Sequence, residues 1–290
     1  GSNLTGIDAT TIKDSGGTTR IQGTTSGIVV TGIATVSSDS EINGVTVGKG
    51  ANSATGNTVL GVNALDAAVT GTNNTAIGYL TLTSNTSGTE CVAVGSGALS
   101  NNTTGEHNTA VGKSALTSNT TANNNTAVGE ASLQNNTTGA NNTAIGRNAL
   151  ISNTTASDNT AVGEASLQSN TSDVDNTALG VSALANNTTA SYNTALGRKT
   201  LLSNTTGANN TAAGYAALDA NTTASNNTAV GSNALGVNTT GAQNTAVGAA
   251  AADATTTGAE NAALGYAALG DNTTGGYNVA VGSRTLAATS

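Results

Sequence analysis

The motif N-T-A-V/I/L-G returns down this chain at a fixed interval, and that interval constrains the fold more than any other feature. Its glycine falls at Gly61, Gly78, Gly95 and Gly112, then at every seventeenth residue to Gly282, with no insertion or deletion. Helical repeats such as TPR or HEAT are about twice that length or more. A 17-residue unit suits one coil of a β-solenoid. Strands in such a coil stack on those of the coil before, so its length cannot change without breaking the ladder.

Numbered from its first Asn, the unit reads N-T-A-V-G-x-x-A-L-x-x-N-T-T-G/A-x-x. The large aliphatic side chains at positions 4 and 9 are not spaced as on a helix. Asn, Thr and Gly are poor helix formers, whereas Thr and Val favour extended backbone. The pattern predicts a strand on N-T-A-V and a second short extended piece around A-L. The glycine bends the chain between them, and N-T-T-G/A makes the other corner, where Asn and Gly tolerate positive φ. Val92 and Val279 stand where other coils have Thr at position 2. Position 2 is therefore expected to face inward with position 4, and the alanine of position 3 to face the other way. Ala76, Ala93, Ala110, Ala127 and Ala144 begin that alanine row. A row of the smallest side chains suits close approach of another backbone, so it is read as a contact between subunits. The alternative is that small residues fit a tight coil.

The chain has no Pro, Met, Trp or Phe, so a core must come from Leu, Val, Ile, Ala and Thr. Each coil offers few large aliphatic groups against the cost of ordering its backbone. Stacking on neighbouring coils helps, and association of parallel copies along their whole length is the simplest further remedy. The expected fold is all-β: a parallel β-roll or β-solenoid of 17-residue coils, as a homotrimer in the leading reading and as a lone solenoid in the second. At about 4.7–4.9 Å per stacked strand the array is a rod on the order of 70 Å long, the dimension of a spacer.

Two regions are expected. Residues 1–43 alternate apolar and polar residues between Asp-Ser-Gly-Gly and Ser-Gly punctuation, the pattern of short strands and hairpins. Residues 44–290 form the array, opening with "GVTVGKG", whose Gly48 lies 13 residues before Gly61 and reads as a shortened entry coil capping fourteen full repeats. The chain begins Gly1-Ser2 without Met and stops soon after Leu286, which reads as a segment of a larger protein.

The formal net charge of -8 disfavours nucleic acid, which needs a cationic surface, and an anionic membrane surface. No apolar run has the length of a membrane-spanning helix, so no membrane insertion is expected. Cys91 is the single cysteine, which excludes an intrachain disulfide. His107 is the single histidine and sits at a variable position, read as solvated rather than as a catalytic base. The acidic residues form no paired constellation and the calcium-binding nonapeptide of β-rolls is absent. No catalytic residue, metal site or cofactor is expected. Asn-x-Thr sequons recur in almost every coil and are read as a corner ladder of stacked amides and hydroxyls rather than as glycan acceptors. The variable positions carry most of the array's charge, including Lys113, Glu130, Arg147, Glu164, Arg198 and Lys199, and all five tyrosines. Tyr79, Tyr215 and Tyr266 follow the glycine, while Tyr192 and Tyr277 precede the asparagine; they are the candidate contacts for a surface ligand.

"NTAVG" followed by "AL" and "NTTGANN" resembles the head repeats of trimeric autotransporter adhesins, the YadA-like left-handed β-roll. The likeness is closest at Cys91-Val92-Ala93-Val94-Gly95 and Asn278-Val279-Ala280-Val281-Gly282. The longer unit, preceded by "GGTTRIQGTTSGIVVTGIATVS", is similar to the shaft of tail-fibre proteins of cyanophages and related phages. The resemblance implies a parallel homotrimer with a left-handed coil, outside the cell on a virion or a bacterial surface. Such a shaft holds a receptor-binding tip, with a host-surface glycan or other receptor as partner. The expected function is a structural and adhesive fibre segment, not an enzyme. The alternative is an ice-binding β-solenoid, against which stands the absence of a flat Thr-x-Thr face: the paired threonines of N-T-T are adjacent and would point to opposite sides of an extended segment.

Overall fold

The structure is a computed structural model that describes residues 39–42, 44–50, 54–67 and 69–287. Among these there is no helix, and sixteen strands form one sheet in sequence order. Strands β1 (Ser40–Ile42) and β2 (Val45–Gly48) make an antiparallel hairpin. Strand β3 (Thr58–Gly61) opens a run of parallel strands that includes β8 (Thr143–Ile145) and ends at β16 (Val279–Val281). Each parallel strand meets its neighbour 17 residues away, as Thr143↔Thr160, Ala144↔Ala161 and Ile145↔Val162 do. The protein is thus a parallel β-solenoid of 17-residue coils, as the period requires. Residues 1–38 of the expected hairpin module lie outside the described residues. Val45–Gly48 does cap the array, but as the second arm of a hairpin antiparallel to β3 rather than as a shortened coil. The Asp39 carboxylate closes that cap by accepting from Lys49 N at 2.6 Å and Gly50 N at 2.7 Å.

The strand faces the opposite way from the sequence expectation. In the coil of residues 142–158, Ala144 is fully buried while Thr143 is half-buried and Ile145 exposed. The same alternation holds along the array, so the alanine row lies inside its own coil and is not available to another subunit. The reason is the width of the coil. Leu150 and Ala149 are also fully buried and join Ala144 in one continuous core. With a leucine filling the interior from the opposite wall, the strand presents a small side chain inward: alanine in every coil but the first, where Val59 is buried beside Leu65. The alternative reading of the small residues, that they fit a tight coil, is the correct one.

A-L is not extended. Leu150 has φ 50°, and its equivalents from Leu65 to Leu286 are likewise left-handed. The preceding Asn148 (φ 59°) and the last residue of the coil, Asp158 (φ 61°), share that conformation. Bends therefore fall at positions 7, 9 and 17 as well as at the glycine. A left-handed leucine is uncommon. Full burial of its side chain, at about 1.5–3 kcal/mol, offsets the strain.

Two buried asparagine ladders complete the interior. At position 1, Asn125 Oδ1 accepts from Asn142 N at 2.9 Å, and Asn142 Nδ2 donates to Ala156 O at 2.8 Å. At position 12, Asn153 Nδ2 donates to Asn136 Oδ1 at 2.8 Å and to Ala156 O at 3.0 Å. Beside the second ladder Thr137 Oγ1 donates to Thr154 O at 2.9 Å in the next coil. The expected corner ladder of amides and hydroxyls is present, with the amides turned inward.

Candidate functional site

Turning alanine inward turns positions 2 and 4 outward. One row runs Thr109, Thr126, Thr143, Thr160 and onward; the row beside it runs Val111, Val128, Ile145, Val162, Leu179 and Leu196. From β3 to β16 no charged residue stands in either row, and Val92 and Val279 extend the apolar character into the threonine row. Ile145 is 40% exposed, Leu179 49% and Val281 64%. Regular parallel pairing makes this a continuous strip along the array. A lone soluble chain scatters its exposed aliphatics, whereas here they are aligned.

The two edges of the strip differ in charge. Positions 6 and 7, just past the glycine, hold Lys113, Arg147, Arg198, Lys199 and Arg284, which are all the Lys and Arg residues of the array after Lys49. Two acids, Glu130 and Glu164, share that edge and are paired within it: Lys113 Nζ lies 3.8 Å from Glu130, and Arg147 binds Glu164. Positions 16 and 17, just before the strand, hold Glu90, Glu106, Asp158, Asp175 and Glu260 with no Lys or Arg. His107 lies on this acidic edge, 3.3 Å from Glu90 and half-exposed, as a solvated partner would be.

The five tyrosines are exposed but dispersed. Tyr79, Tyr215 and Tyr266 lie on the basic edge, and Tyr192 and Tyr277 on the acidic edge. Arg198 stands 6.0 Å from the Tyr215 ring centre and Arg284 5.6 Å from that of Tyr266. These are contacts between successive coils at cation–π range. The structure gathers the tyrosines into no common pocket.

Cys91 takes the place of a position-1 asparagine and is fully buried in its own coil, so copies in different chains cannot meet. Its sulfur is 3.4 Å from Gly105 O. Burial pushes the thiol up from its ordinary range, only partly opposed by hydrogen bonds from Asn108. The asparagines that open the N-T-T sequons are equally buried, Asn136, Asn153 and Asn170 fully so, which closes them to glycan attachment in the folded chain.

A hollow of about 320 Å³ lies at the turn of three coils, between Asp219 and Asp253, where Gly236 leaves the intervening side-chain place open. Burial raises the pKa of both carboxyls, and Asp219 Oδ1 is buried without a hydrogen-bond partner. Among the described residues no three His, Cys, Asp or Glu side chains gather to hold a metal. The strip, expected from the sequence to lie inside the coil, is the most extensive candidate surface among the described residues; the leucine at position 9 was the signal that could have turned it outward.

Comparison with protein-family models, with curated proteins and with solved structures found no match to this chain.

Proposed function

We propose that this chain is a structural fibre segment: three parallel copies packed through their Thr/aliphatic strips into a shaft that holds a host- or surface-binding element at a distance. The observation that carries this reading is the uncharged strip along the array, with aliphatic side chains exposed in rung after rung. Its thirteen steps at about 4.8 Å give a contact of roughly 60 Å. The shaft itself performs no chemistry. By its resemblance to tail-fibre and adhesin repeats it belongs outside the cell, on a virion or bacterial surface, with a glycan or other receptor as the fibre's partner. Electron microscopy of the purified chain tests the reading. Straight rods of uniform width containing three chains are expected; particles the width of one coil would overturn it.

One observation favours a second reading, an ice-binding solenoid. A threonine row does lie on the outward strip, alongside an aliphatic row rather than a second threonine row. Thermal hysteresis by a monomer would establish that reading in place of the fibre.

A further inference from the structure

Position 10 follows the core leucine, on the wall across the interior from the strip, so it stays open whether or not the strip is covered. In most coils it is half-buried and carries a side chain of some size, such as Thr117, Gln134, Ile151, Gln168 and Leu202. Further along, the same row reads Asp219, Gly236, Asp253 and Gly270. Stacking here is as regular as elsewhere: Leu218 N donates to Ala234 O and Leu235 N to Ala251 O, each at 3.0 Å. Asp219 and Asp253 are therefore rooted two rungs apart, about 9.6 Å. The side chain that Gly236 lacks between them leaves the hollow of about 320 Å³, which Asn233 and Val237 also line.

A hollow of this size edged by a few polar groups is the usual form of a small-ligand site. The groups at its edges define the ligand's chemistry. Asp219 Oδ1 is buried without a hydrogen-bond partner, so it calls for a donor. Among the described residues no Lys or Arg forms an ion pair with Asp219 or Asp253; Lys199 acts on Asp219 only through its field, and Asp271 adds negative charge near Asp253. Burial disfavours the charged form of both carboxyls, and a cation between them offsets that cost. A neutral polyol would satisfy the orphan oxygen and leave both charges uncompensated. No three His, Cys, Asp or Glu side chains gather among the described residues to hold a metal ion, so a ligand engaging both carboxyls must have length as well as charge. We propose that the hollow binds a short aliphatic diammonium ion, one ammonium on Asp219 and the other on Asp253, with the methylene chain lying over Gly236 beside Val237. An ammonium offers three donors and no acceptor, which suits the two carboxylates and the side-chain oxygen of Asn233. Hydrogen bonds between ionised partners are about twice as strong as neutral ones. The site belongs to the shaft itself, goes beyond the fibre reading and does not depend on it.

Calorimetric titration of the full chain near neutral pH tests this, with putrescine as the diamine and butylamine and butanediol as its singly charged and neutral counterparts. Putrescine is expected to bind at one site per chain, about tenfold or more tighter than butylamine, because its second ammonium engages at high effective concentration. Butanediol is expected not to bind. Asp219→Asn and Asp253→Asn should each reduce putrescine to the affinity of butylamine. Gly236→Gln fills the hollow with a side chain that the same row already holds at Gln134 and Gln168. That variant should keep the circular dichroism of the wild type and lose binding. Failure of putrescine to bind, equal affinity for butylamine or butanediol, or wild-type binding by Gly236→Gln would each overturn the site. Light scattering on the same samples separates this result from the fibre reading: a monomer that binds putrescine overturns the fibre and leaves the site standing.

Discussion

Asn153 Nδ2 donates to Asn136 Oδ1 at 2.8 Å across one coil, and both side chains are fully buried. The amide has no water to fall back on, so Asn153→Ala leaves the oxygen of Asn136 without its partner. The expected cost is about 1–3 kcal/mol, read as a lower denaturation midpoint with unchanged slope. The chain holds the reverse experiment. Thr255 replaces the position-12 asparagine, and both Asn238 Oδ1 and Thr255 Oγ1 are buried without partners. Thr255→Asn restores the ladder and is expected to stabilise by about 1 kcal/mol or more.

Cys91 interrupts the other ladder. Asn108 meets a sulfur, a weak acceptor, where Asn125 meets the amide oxygen of Asn108 at 2.9 Å. Cys91→Asn is expected to raise stability by about 1 kcal/mol. The native thiol, buried and with its pKa raised, should resist thiol reagents near neutral pH until the chain is unfolded. Rapid labelling of the folded protein would contradict the placement of Cys91.

Backbone conformation separates two small residues that look alike in sequence. Gly146 has φ +135°, and a Cβ there would stand 2.5 Å from Gly163 O. Gly146→Ala is expected to cost about 2–4 kcal/mol. Ala165 has φ 55°. Ala165→Gly relieves about 1–2 kcal/mol of left-handed strain and gives back about 0.5–1 kcal/mol of chain entropy, so a net rise in the thermal midpoint is expected.

Asp219 and Asp253 give stability a pH dependence of known sign. Burial raises their folded-state pKa values, so the folded chain binds protons more tightly than the unfolded chain. Their contribution is most favourable below the ordinary carboxylate range and is lost as pH rises through the raised values. Above the raised values both are charged and the desolvation cost is present in full. Asp219→Asn should therefore stabilise at pH 7, with the gain shrinking toward zero at about pH 3, where the wild-type carboxyl is protonated too. A gain independent of pH would assign the effect to packing instead.

The period was legible because 17-residue spacing leaves no freedom in strand register, and it gave the solenoid, its parallel pairing and its ladders. The facing of the strand was not legible. Alternation along Asn142–Ile145 fixes that Thr143 and Ile145 share a side, but not which side is the interior. That choice is made by Leu150, which reaches the core through a left-handed backbone that its residue type does not announce. Val92 and Val279, taken as marks of an inward position, are apolar members of the outward strip. The charge segregation was present in the sequence, but only after the strip was known to lie between positions 17 and 6 did it acquire two edges.

The central claim is that the strip is covered by other copies of this chain. Light scattering after size exclusion, on the wild type and on Ile145→Asp with Leu179→Asp, tests it directly. Both side chains are exposed in the single chain, so the variant should fold and show the same β-rich circular dichroism. A wild-type mass of three chains that persists on dilution is expected, with the variant falling to one. A monomeric wild type, or a variant that remains trimeric, would contradict it.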